Sequence, residues 1–415
     1  MDGETAALLF GLGQAQLGMN LLEEALTSLR QAFDYYIEAG DISRAVAIAE
    51  DPHTVAFIVG IRDLISRVLQ LVPSDSPQAG RILANHGVAM GASYDGYEGA
   101  MAAFDKALTI ARRENDLALE MRVLANSANI DGFHLRWKGC LAKSLEAIEL
   151  TKRIDDPYTR LRAHVWTVFS LLNEAGDVEG ARLQAEEMLA SAEKLRDRVW
   201  LPRAIYCTIL PELITGHWEA ARERSERGLA RFPEHSVLLA QRALLEYETG
   251  DFYQGKAYLM PLIEATRTSS VSMEALGLPT MLIGLVARMT GVLDHCDVAQ
   301  EHAQTILLSA AAPPFSTSPA RCGLALLAIH RGESLSMKEQ YAALESHRGT
   351  VIPYTGLAIA IDRVLGLLAQ ALGWVDRAAE HFEDALAFCR KAGYRPELAW
   401  SCHDYAACLL QRAMT

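Results

Sequence analysis

Several short stretches carry residue types that could do chemistry, and each can be weighed by its spacing. Gly250, Gly255 and Lys256 match the GxxxxGK core of a phosphate-binding loop. That loop cradles phosphate with backbone N–H groups after a strand, and a Ser or Thr following the Lys holds magnesium. Here the preceding QRALLEYET has helical character and Ala257 follows Lys256, so nucleotide binding is not expected. His295, Cys296 and His302 offer soft metal ligands, but zinc sites combine three or four ligands at spacings such as HxxxH or CxxC. Cys402, His403, Asp404 and Cys408 fare no better. Six residues turn a helix by about 600°, which leaves the two thiols roughly 120° apart. No nucleophilic triad motif, HExxH or dinucleotide-binding glycine pattern is present. The expectation is a non-catalytic chain with no metal and no cofactor.

The elements around these stretches explain why they occur. Gly366, Gly373, Ala378, Phe382 and Ala385 lie at offsets 0, +7, +12, +16 and +19. Gly13, Ala25, Leu29 and Ala32 use the same offsets, with Asn20 at +7. The +12 position is taken in turn by Ala25, Ala100, Cys140, Ala181, Ala221, Gly255, Ala299 and Ala378. Steps between Ala100 and Ala299 are 40, 41, 40, 34 and 44, and the two larger gaps are near two periods. One degenerate repeat is therefore expected in each gap, at 41–72 and 319–348. Gly-containing turns recur at 39–41, 175–177, 215–217, 249–251 and 372–374. Gly closes a helix in the left-handed conformation, and a following Asp caps the next. Self-similarity of this kind marks a helical-hairpin array in which each unit buries its apolar face on its neighbours.

These residues resemble the tetratricopeptide repeat over nearly the whole chain, with close agreement at 366–385 and good agreement at 169–188 and 209–233. The resemblance implies an all-α fold: a right-handed α-solenoid of about ten hairpins with a period near 40, continuous over 1–415, with a weak break at 311–319 where three prolines fall. The ending AGYRPELAWSCHDYAACLLQR is similar to the last repeats of large bacterial signalling ATPases (STAND-like), including LuxR-type regulators and relatives with a nucleotide cyclase. What that similarity implies is a sensor or regulatory region of a signalling or transcription regulator. A stand-alone adaptor, or the repeat region of a larger ATPase or cyclase, is the alternative.

Composition bounds the partners. A net charge of −13 and no run of more than two Lys or Arg argue against a nucleic-acid surface. Seven Cys without CxxC spacing suit a reduced, cytoplasmic setting. The acidic start MDGETAALLF is no signal peptide. The uncharged run 275–287 covers thirteen residues and contains Pro279, short of the about twenty a membrane helix needs. No alternation long enough for a sheet is seen.

Superposing the repeats places Asn85, Arg122, Asn129, Trp166, Asn173, Glu174, Arg203, Tyr206, Tyr247, Glu248, Arg363 and Gln370 on the inward face of the first helices. Aromatic and Arg side chains there suit capture of a peptide, a protein or a small effector. Trp166 and Tyr206 suit equally the filling of gaps between repeats. The two-lysine, two-asparagine clamp of chaperone-binding relatives is not reproduced. Leu398, Cys402, Tyr405 and Leu409 form an i, i+4, i+7, i+11 stripe on the last helix. One face of that helix is expected to stay exposed unless further chain or an associating molecule covers it.

Overall fold

The computed structural model describes residues 2–19, 21–50, 61–267, 273–309, 312–354 and 357–414. Its helices alternate between a first and a second member of antiparallel hairpins. The hairpins are α1 (Gly3–Gly18) with α2 (Leu22–Glu38), α3 (Ile42–Glu50) with α4 (Ile61–Leu69), and α5 (Pro77–Gly91) with α6 (Tyr97–Glu114). They continue with α7 (Leu117–Phe133) and α8 (Trp137–Leu150), then α9 (Pro157–Ser170) and α10 (Val178–Leu195). Next come α11 (Trp200–Thr215) with α12 (Trp218–Arg231), α13 (Ser236–Glu248) with α14 (Phe252–Arg267), and α15 (Met273–Thr290) with α16 (Cys296–Leu308). The series closes with α17 (Pro314–Arg331) and α18 (Ser334–Leu344), α19 (Ile361–Ala371) and α20 (Val375–Ala392), and the single helix α21 (Arg395–Met414). Among the described residues that is ten hairpins and one further helix, the number the sequence period requires. None of these helices is long and apolar enough to cross a membrane.

The meaning of the repeated residues is visible in the packing. Ala25, Ala100, Cys140, Ala181, Ala221, Gly255, Ala299 and Ala378 each stand fourth in their second helix, and all are buried. The two degenerate repeats keep this register but fill it with Leu64 and Met337, also buried. A large side chain at the pivot is why their motif fades from the sequence. The small residue at offset 0 makes room for the side chain at +16: a Cβ on Gly366 would lie 2.9 Å from the Phe382 ring, and one on Gly13 would lie 2.7 Å from Leu29 Cγ. The turns follow expectation. Gly40, Gly176, Gly216, Gly250 and Gly373 have φ of 71°, 64°, 73°, 84° and 80°. Asp41, Asp177 and Asp251 accept N–H bonds from Arg44, Gly180 and Gln254 at 3.2, 2.9 and 3.1 Å. Each supplies a partner for a helix-start donor that has none inside its helix.

Two compact units are present: 1–167 with 195–200, and 168–194 with 201–415. In unit 1, α3 packs on its own second helix α4 and on the next first helix α5, and α5 likewise packs on α6 and α7. Side-chain amides stitch successive first helices together. Asn85 Nδ2 donates to the Ala49 carbonyl at 2.7 Å, and Asn126 Nδ2 to the Ala84 carbonyl at 3.2 Å. In unit 2, Gln241 Nε2 does the same to Tyr206 at 3.1 Å. Unit 2 also carries ion pairs between adjacent hairpins. Arg182 and Arg222, each next to a pivot, reach the buried carboxylates of Glu212 and Glu246 in the following first helix, at 3.1 and 2.9 Å.

Two features depart from the sequence reading. A short antiparallel pair, β1 (Val351–Tyr354) and β2 (Leu357–Ala360), joins α18 to α19, with Tyr354 opposite Leu357. Strands of four residues are too short to show an alternating pattern. The Pro-rich break is also narrower than 311–319, because α17 starts at Pro314 and includes Pro319. Proline at the first helical position gives up no helical bond, and the one at 319 gives up a single bond.

Candidate functional site

Unit 2 is organised around its own last helix. The residues of α21 that face inward are Glu397, Ser401, Asp404 and Cys408, all buried, at i, i+4, i+7 and i+11. This is a polar stripe, and it meets basic partners. Arg363 of α19, 2% exposed, donates from Nε to Glu397 at 2.8 Å and from Nη1 to Asp404 at 3.1 Å. Arg288 of α15 holds the other Asp404 oxygen. The Ala360 N–H of β2 adds a 2.8 Å bond to Glu397. Burial raises the Glu397 carboxyl, while Arg363 and that N–H pull it back down.

The segment entering α21 is anchored as firmly. Tyr394, fully buried, donates its hydroxyl to the Leu172 carbonyl at 2.7 Å. Leu172 sits in a single π-turn, Leu171–Ala175, that ends at the left-handed Gly176. At Gly176, just beyond, a Cβ would come within 2.8 Å of Ala392. Further along α21, Trp400 Nε1 lies 3.1 and 3.0 Å from the two oxygens of Glu248, at the end of α13.

Between these anchors lies a cavity lined by Leu213, Ile214, Trp218, Leu244, Glu248, Ala358, Tyr394, Pro396 and Glu397. It offers about 30 Å³ to water-sized occupants, the room of one or two waters. Its walls are apolar and aromatic except for two carboxylates. Burial raises the Glu248 carboxyl above its ordinary value, and the Trp400 N–H and the more distant Arg363 only partly oppose that. Among the described residues no cation forms an ion pair with Glu248.

The residues expected on the inward face are distributed as follows. Glu248 lines the cavity, and Arg363 lies behind it as the partner of Glu397 rather than as a free guanidinium. Asn85 is 1% exposed and committed to Ala49, so it joins helices and presents no group outward. Asn129 accepts the Trp166 indole N–H at 2.7 Å, and Trp166 is buried edge-on to Phe133. Tyr206 is buried, and Tyr247 is buried with its ring stacked on Phe252. Asn173 is buried in the π-turn, bonded to the Phe169 carbonyl at 2.7 Å, and its neighbour Glu174 is exposed. Arg122, Arg203 and Gln370 are half-buried, and the Arg122 Nε is buried without a hydrogen-bond partner. Trp218, Tyr394, Glu397 and Trp400 were not anticipated. The signal for Glu397 was present as a polar stripe with the same spacing as the apolar one, displaced from it by one residue, about 100° around α21. On the apolar stripe Cys402 and Leu409 are exposed, and Leu398 and Tyr405 are half-buried.

The GxxxxGK segment is a turn and a helix start. Gly250 lies in the left-handed turn after α13, Gly255 is inside α14, and exposed Lys256 pairs with Asp294 at 3.4 Å.

No family model matches the sequence, and no curated protein matches it. Among solved structures the chain is similar to yeast Tom70, at 13% identity and a TM-score of 0.47, covering 99% of this chain and 96% of that one. It is also similar to a human IFIT1 dimer with m7Gppp-AAAA, at 16% identity and a TM-score of 0.47, covering 100% and 96%. By its own hairpins, pivots and turns, the chain has an all-α helical-repeat fold of tetratricopeptide-like build.

Proposed function

We propose that this chain is a non-catalytic, ligand-sensing repeat scaffold whose working surface is the inner face of unit 2. The observation that carries the reading is the cavity at which α11, α13, β2 and the start of α21 converge, apolar-walled with two carboxylates set into it. Small-ligand sites have this composition: mostly apolar lining with a few convergent polar groups that fix orientation. Because α21 itself forms one wall, an occupant would alter how firmly that helix is held, which suits a sensor better than a passive adaptor. The similarity of the ending AGYRPELAWSCHDYAACLLQR to bacterial signalling regulators supports placing the chain in that setting, as the regulatory region of a signalling or transcription regulator.

The test is hydrogen exchange on the full chain against a library of small metabolites and short peptides. Ligands that bind are expected to slow exchange at the end of α13 and the start of α21. Binders that protect only the outward second helices, with no change in α13 or α21, would sink this reading.

A further inference from the structure

The charges around the cavity do not balance. Arg288 and Arg363 contribute two positive charges, while Glu248, Glu397 and Asp404 contribute three negative ones. The geometry divides them unequally. Arg363 serves Glu397 and Asp404, and Arg288 serves Asp404 again. Glu248 is left with the indole N–H of Trp400, a neutral donor. A half-buried carboxylate of this kind either takes a proton or finds a cation.

The cavity beside it decides what kind of cation fits. A space of about 30 Å³ for water-sized occupants is too small for a drug-like molecule, whose pockets run to several hundred Å³. An –NH₃⁺ group is close to water in size and brings three donors. A carboxylate has about four acceptor sites, and Trp400 engages only two of those on Glu248. The surrounding Trp218, Tyr394 and Pro396 present rings and methylene surface along which an alkyl stem can lie. Aromatic faces also attract a cation electrostatically. A quaternary ammonium lacks the donors and exceeds the space.

We propose that this cavity is a receptor for a primary ammonium group, with Glu248 as its counter-ion, Glu397 as a second acceptor, and the alkyl stem running out past Trp218 and Pro396. The assignment rests on the scaffold reading above and narrows it to one ligand chemistry. A free alkylamine and the side chain of a lysine in a peptide share that chemistry.

Titration calorimetry on the full chain tests it, with n-propylammonium and N-acetyl-lysinamide as probes and propanol and tetramethylammonium as controls. Saturable binding of the primary ammonium probes is expected, absent for both controls. Glu248→Gln, which keeps an acceptor for Trp400, is expected to weaken it at least tenfold. Trp218→Leu, at a half-buried wall of the cavity and in none of the ion pairs, is expected to weaken it several-fold, so the proposal does not hang on one variant. Tighter binding of N-acetyl-lysinamide than of n-propylammonium would assign the source to a peptide, and the reverse to a free amine. The proposal is overturned if wild type binds neither ammonium probe, or if binding survives Glu248→Gln undiminished. A neutral or acidic ligand that protects α13 and α21 and is indifferent to Glu248→Gln would refute the ammonium assignment while leaving the scaffold reading intact. Library binders that all leave α13 and α21 unprotected would instead remove the scaffold reading.

Discussion

Arg363→Met offers the sharpest test of what holds α21 in unit 2. Met approximates the volume of the Arg stem, so little cavity is created and the loss is electrostatic. The substitution removes the 2.8 Å bond to Glu397 and the 3.1 Å bond to Asp404. Asp404 keeps Arg288, but Glu397 retains only the Ala360 N–H at 2.8 Å. Removing one partner of a buried ion pair costs about 3–5 kcal/mol, because the other charge is left uncompensated. At about 1.4 kcal/mol per factor of ten, the opening equilibrium of α21 is expected to rise roughly a hundred- to several-thousand-fold. Hydrogen exchange resolved to the α21 amides reads this directly, with unit 1 as an internal control. The effect is expected to depend on pH. The orphaned Glu397 has its folded-state pKa raised further, so the folded variant binds more protons than its unfolded chain. The deficit against wild type is then largest above that raised value and shrinks on acidification toward the ordinary carboxylate range. Glu397→Gln combined with Arg363→Met is expected to cost less than the sum of the two. If α21 amides in Arg363→Met exchange as slowly as in wild type at pH 7–8, the buried pair is not what secures the helix.

Three further outcomes are expected. Ala378, 0% exposed at its pivot, leaves no room for a larger side chain. Ala378→Arg is expected to cost about 1–3 kcal/mol from overpacking and more from the buried charge, seen as a lowered melting temperature with faster exchange in α19 and α20; a wild-type melt would show the register to be wrong. Because burial raises Glu248, the folded state holds that proton more tightly than the unfolded chain. Its contribution is fully present below the unfolded value and is lost as pH rises through the folded one. Glu248→Gln without ligand is therefore expected to be more resistant to urea than wild type at pH 8, and a less resistant variant would contradict the unpaired carboxylate. Lys256→Ala breaks only an exposed pair with Asp294, worth under about 1 kcal/mol, and is expected to leave stability unchanged; magnesium-dependent ATP binding that this variant abolishes would overturn the reading of that segment.

Hairpin count, turn glycines and pivots were legible in the sequence because each is a local demand. Gly250 takes a positive φ, and Ala378 is small like most other pivots, both within the span of one hairpin. The cavity was not legible because it depends on α21 returning to earlier helices. Periodicity picks out Leu398, Cys402, Tyr405 and Leu409 but gives no reason to bury Glu397 and Asp404, since burying a carboxylate is costly without a partner. The partners, Arg363 and Arg288, lie 34 and 116 residues from the acids they serve, beyond any window of the chain. Asn85 misled for a related reason. An exposed ligand-binding amide and a buried one that bonds a neighbour's carbonyl have the same sequence signature.

The way α21 folds back changes how unit 2 is expected to come apart. In an array where each hairpin touches only its neighbours, an end can fray alone and stability is a sum along a line. Here Tyr394 bonds to Leu172 across 222 residues and Trp400 to Glu248 across 152, so the last helix reports on hairpins near the start of the unit. Contacts this distant in sequence form late, since the loop entropy comes before the reward. Unit 2 is therefore expected to fold more slowly than its local helices suggest and to unfold more abruptly. Loosening one helix at its C-terminal side weakens rungs that lie half a chain away.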